Sequence, residues 1–203
     1  MTVNASNRTL GLINIWQVLR KLCWELWLIK SVPDKLRMGV KPKDVLHVQD
    51  AGLYATVNAA STALALVDWL YHTVREDQTL ERRLKDVVGE IDTSSDKAFL
   101  AFFRQANPSI NACHQICNAN KHFYLYQRSL DPKFKARVFE FVMERPDGTT
   151  ELGTSAQIIR NGDGPGTVMP TYEMLNNLAD WWESLLSDIG VSGREQFFPQ
   201  HAP

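Results

Sequence analysis

Apolar residues recur every three or four positions at Ile15, Leu19, Leu22, Leu26 and Ile29, which predicts a first helix over 12–30. Trp16, Trp24 and Trp27 widen its apolar surface beyond one stripe, so it is expected to pack on two sides. Residues 31–43 hold two prolines and a glycine and read as a loop. A second helix starts at Asp44, a good N-cap, and runs to Arg75. Its uncharged stretch 51–67 is rich in small side chains, which suits burial among close neighbours. Residues 75–92 are charged, with a thin stripe of Leu80, Leu84, Val87 and Val88, and read as a short exposed helix or a mobile connection. Another helix follows over 95–106, carrying Phe99, Leu100, Phe102 and Phe103. There Asn107 can cap and Pro108 can open the next helix, expected over 109–127.

The period then changes. Over 136–145 it alternates, with Phe139, Phe141 and Met143 on one side and Val138, Glu140 and Val142 on the other. "PDGT" is a turn, and the sequence after it can pair back as a second strand. A lone hairpin is marginal, so it should lie against the helices. Residues 161–170 read as a flexible loop. A last helix over 172–189 should bury Leu175, Leu178, Trp181, Trp182 and Leu185. The expected fold is therefore mainly α: an antiparallel bundle of about five helices with one β-hairpin near 137–159. It is read as a single domain, 1–203, with the hairpin packed on the bundle and the tail 190–203 loosely held.

Composition narrows the function classes. The 203 residues are 44% hydrophobic and 22% charged, which is enough for a sizeable core. A net charge of −1 gives no global attraction for phosphate backbones, so the charge does not support a nucleic-acid partner. Three cysteines, Cys23, Cys113 and Cys117, form no disulfide framework and fit a reduced, cytoplasmic setting. The apolar stretch 10–19 lacks the flanks of a signal peptide, and 51–67 is shorter than the ~20 residues a spanning helix needs, so no membrane role is expected.

The chemistry-bearing residues cluster in "CNANKHFYLY", residues 117–126. At about 100° per residue, Cys113, Ile116, Cys117, Asn120 and Tyr124 share one side of a helix, and Asn111, His114, Asn118 and His122 share another, with Lys121 at its border. Asn120 is the polar residue on the apolar side and should be buried and hydrogen-bonded. Asn118, Lys121 and His122 are the candidate binding residues. His114 and His122 are eight residues apart, roughly 12 Å along the axis, too far to share one metal ion. Cys113 and Cys117 read as small core residues, so neither a metal nor a cofactor is expected. There is no Gly-rich phosphate loop and no G-x-S-x-G elbow. His47 and His72 read as structural histidines of the second helix.

The run "AASTALALVDWL" followed by "FLAFFRQANPSINACHQICNANKHFYL", then a hairpin and a Trp-containing last helix, resembles HEPN-like helical-bundle proteins over 51–130. The resemblance rests on the N-x-x-K-H ending of a helix and implies a bundle of four or five helices. Active members pair an arginine with a histidine on this helix, the histidine for acid–base chemistry at an RNA 2′-hydroxyl and the arginine for the phosphate. His122 takes the histidine position here, while Gln115, Ile116 and Cys117 stand where the arginine belongs. The resemblance thus implies a member that keeps the bundle without the chemistry. The expected function is a non-enzymatic interaction or dimerisation protein that associates with itself or with a protein partner. One alternative is a metal-independent endoribonuclease using His122, with Asn118 and Lys121 on phosphate. The other is a small-molecule-binding bundle with a pocket lined by Cys113, Cys117 and Asn120.

Overall fold

The computed structural model describes residues 11–31, 35–37, 42–121, 131, 133–148, 150–160 and 167–198, with the backbone alone at 35–37, 42–49, 120–121, 140–141, 143, 150–154 and 167. Its elements run α1 (Ile15–Ser31), β1 (Lys35–Arg37), α2 (Pro42–Arg75), α3 (Gln78–Val88), α4 (Asp96–Ala106), α5 (Pro108–Lys121), β2 (Phe134–Glu144), β3 (Thr150–Arg160), β4 (Thr167–Pro170), α6 (Thr171–Asp188) and α7 (Arg194–Phe197). The fold is mainly α with a β-hairpin, as the periodicities predict. By backbone proximity the chain gathers into two compact units. The first holds Met1–Trp24, Thr62–Asn111 and Asn177–Pro203, and the second Glu25–Ser61 and Ala112–Asn176.

Helix starts follow local chemistry. Asn14 Oδ1 accepts from the Gln17 N–H at 3.0 Å, and Gln17 Oε1 accepts from the Ile13 N–H at 2.6 Å, so α1 begins at Ile15 rather than Leu12. Residues 78–88 are a well-capped helix, not a mobile connection. Asp77 accepts from the N–H groups of Thr79 and Leu80, and Leu84 is fully buried. Ser95 caps α4 through the Ala98 N–H at 3.2 Å. On α2, Ala59, Ala60 and Ala63 are fully buried, as their small size suggests, while Leu53 and Tyr54 face solvent.

In the first unit a chain of aromatic rings forms the core. Tyr71 meets Phe99 at 5.4 Å between centroids, Phe99 meets Phe103 at 5.0 Å, and Phe103 meets Trp182 at 5.9 Å. Trp181, expected in the buried face of the last helix, is only half-buried, at 5.0 Å from Trp182. The stretch expected to be a loose tail is pinned as far as Phe198. Trp16 Nε1 donates to the Val191 carbonyl at 3.2 Å, Phe198 meets the Trp16 ring edge-on, and the Arg194 guanidinium pairs with Glu183.

The second unit carries the sheet. β2 and β3 pair antiparallel in an unbroken one-to-one register from Phe134↔Arg160 to Glu144↔Thr150, slightly longer than the expected 137–159 hairpin. At its tip the Gly148 N–H donates to the Arg145 carbonyl at 2.9 Å, and Gly148 has φ +78°, a conformation that favours glycine. Two segments expected as loops are strands. β1 pairs with β3 at Leu36↔Leu152, and β4 pairs with β3 at Ile158↔Met169. Both lie on the edge of β3 opposite β2, so the four-stranded sheet is three strands wide at each end.

Candidate functional site

Helix α5 starts as its sequence directs. Asn107 Oδ1 accepts from the Ser109 N–H at 2.9 Å, and Pro108, which has no N–H to leave unpaired, takes the first helical position. The helix is described to Lys121, short of the expected Gln127, because 122–130 lie outside the described residues. His122 is among those, and of Asn120 and Lys121 only the helical backbone is described. The expected burial of Asn120 and the proposed roles of Lys121 and His122 therefore fall outside the described side chains.

The polar stripe starts earlier than the motif. Half-buried Asn118 places Nδ2 3.3 Å from both ring nitrogens of His114, one turn back; its amide N–H donates to whichever nitrogen the tautomer leaves free. Asn111, further along the stripe, accepts from Arg104 Nε at 3.1 Å. The described partner of Asn118 is thus a histidine upstream of the motif. The i, i+4 spacing of His114 and Asn118 was already visible in the sequence.

Gln115 is a buried amide of α5 that the sequence reading does not single out. Gln115 is 4% exposed, and its Oε1 accepts from the Asp131 N–H at 3.5 Å. Ile110, Ala112, Cys113, Gln115 and Cys117 are all buried, so the helix is enclosed on more than one side. A wheel that divides a helix into one apolar and one polar half cannot find a buried glutamine on such an element.

The two cysteines are core residues. Cys113 is fully buried, and burial, with Cys117 adding to it, drives its thiol far above the ordinary value. A neutral, enclosed thiol offers neither a nucleophile nor a thiolate ligand at neutral pH. Ser61 Oγ lies 3.4 Å from Cys117 Sγ, close enough for one to donate to the other. Protein atoms thus occupy one flank of the pocket expected beside Cys117. Among the described residues no group of three or more His, Cys, Asp or Glu side chains comes together to hold a metal ion. His72, expected to be structural, is exposed and lies 3.6 Å from Asp68. The side chain of His47 lies outside those described.

Six tryptophans are more than one core is expected to hide, and two of them are exposed on α1. Trp16, Leu19, Leu22 and Leu26 are buried, but Trp24 and Trp27 are each 56% exposed and Leu28 is 45% exposed. Beyond its buried stripe α1 thus leaves large apolar area open to solvent, since hydrophobic periodicity shows where apolar side chains point and not how far they are covered. Among the described residues no helix is long and apolar enough to cross a membrane. No protein-family model, curated protein or solved structure matches the chain.

Proposed function

We propose that this chain is a non-enzymatic, HEPN-like helical bundle that works by association, with itself or with a protein partner, in a cytoplasmic setting. The observation that carries this reading is the exposed face of α1, where Trp24, Trp27 and Leu28 recur at helical spacing. Tryptophans carry large apolar area at low conformational cost and are favoured anchors of protein interfaces. The buried Cys113 thiol agrees with this, since burial holds it protonated far above its ordinary value and it offers no nucleophile.

Sedimentation velocity over a hundredfold concentration range tests it. Wild-type protein should associate, and Trp24→Lys with Trp27→Lys should weaken that association without changing the helical circular dichroism. EDTA-resistant RNA cleavage that His122→Ala abolishes would count against the reading.

A further inference from the structure

β2 is an edge strand of unusual character. Over its eleven residues it pairs with β3 without a bulge, and it contains no proline. Among the described residues no strand pairs with its other edge, whereas the free edge of β3 is covered by both β1 and β4. Natural sheets shield such edges with short strands, bulges, prolines or a covering element, because an unpaired row of N–H and C=O groups templates another strand. The only devices of that kind on β2 are charges: Lys135 and Arg137 near its start and Glu140 and Glu144 towards its end. Between and beside them it exposes Val138 at 54%, Val142 at 65% and Phe139 at 36%.

We propose that the free edge of β2 pairs antiparallel with β2 of a second copy, across a two-fold axis at Val138. This gives the association reading a second contact surface beside the α1 face, and rests on that reading. The occupant follows from complementarity. Directly opposed residues of antiparallel strands share a face and interact as pairs. A two-fold axis at Val138 sets Val138 against itself, Phe134 against Val142, and Arg137 against Phe139. On one face Val138 meets itself and Phe134 meets Val142, with Ala136 beside Glu140; on the other a guanidinium meets an aromatic ring, each mixed pair occurring twice. Neighbouring registers lose this match. An axis at Arg137 or at Glu140 opposes like charges, and one at Phe139 sets Phe134 against Glu144. An unrelated apolar strand would bury Lys135 and Arg137 against side chains that give them no partner. A strand presenting a ring or a carboxylate opposite Arg137 accepts the charge, and β2 itself presents a ring.

The register can be read by cross-linking full-length protein in a Cys23→Ser background, where Cys113 and Cys117 are buried. Val138→Cys places two thiols roughly 5 Å apart between Cβ atoms, so a short bismaleimide should join the copies. Val142→Cys leaves its two thiols about 27 Å apart, eight residues along the strand, and should not be joined. Val138→Lys should abolish the dimer with the circular dichroism unchanged, since the position is exposed. Cross-linking at both cysteines alike, or at neither while a dimer forms, overturns the strand pairing. A dimer that is lost on Trp27→Lys but indifferent to Val138→Lys overturns it too, yet leaves the association reading standing. A monomer at every concentration overturns both.

Discussion

Cys113 shows how burial turns a reactive side chain into a pH-dependent element of stability. Its ordinary value is 9.0, and in the folded chain burial holds the thiol protonated well above that. Above pH 9.0 the unfolded chain releases this proton and the folded chain does not, so stability is full below that point and falls as pH rises. The slope approaches about 1.4 kcal/mol per pH unit for a single thiol. Urea unfolding at pH 7.5, 9 and 10 should show this decline. Cys113→Ala should start less stable at pH 7.5, through lost packing, and lose less between pH 9 and 10; parallel curves would show that the thiol does not titrate in this way. The spacing of Cys113 and Cys117 marked both as core residues, and that much was legible. Gln115 was not, because hydrophobicity ranks it as surface while its burial depends on Asp131, sixteen residues on, supplying an N–H.

Helix α6 shows how an element ends. Val191 N–H donates to the Leu186 carbonyl and Gly190 N–H to the Ser187 carbonyl, both at 3.0 Å, the paired bonds of a Schellman stop. Gly190 has φ +78°, and a Cβ there would lie 2.3 Å from Arg83 Nη1, whose guanidinium caps the Ile189 carbonyl at 3.4 Å. Gly190→Ala should therefore cost about 1–2 kcal/mol from backbone strain alone, plus the displacement of Arg83. Arg83→Ala in the same chain should relieve only the second part, and a double-mutant cycle by chemical denaturation separates the two. Full rescue by Arg83→Ala would assign the whole cost to the clash. Stops and starts of this kind were visible in "DIG" and "ANPS" because they depend on residues a few positions apart. β1 and β4 were not visible. Three and four residues cannot display an alternation, and each is a strand only because the edge of β3 supplies its hydrogen bonds. Likewise Trp24 and Trp27 share the helical period of α1, and nothing local to that helix reveals that they are largely exposed while Trp16 is buried.

At the scale of the whole molecule, stability is not spread evenly. α4 belongs wholly to the first unit, where Phe99 and Phe103 are buried in a run of ring contacts. β2 belongs wholly to the second and has described side chains exposed on both faces. Native-state hydrogen exchange should find α4 amides opening only with global unfolding, while β2 amides bonded to β3 open at a lower free energy. The remaining β2 amides, directed away from β3, have no intramolecular strand partner among the described residues. In dilute protein they should exchange nearly as fast as in an unfolded chain. If copies pair through this edge, the same alternate amides should slow as concentration rises, while those facing β3 change less. Protection that rises equally in every β2 amide would indicate general ordering of the hairpin instead. Protection that rises on α1 while β2 stays unchanged would place the contact on the exposed tryptophans. The alternation itself is the diagnostic, because only a strand laid along the edge protects every second amide.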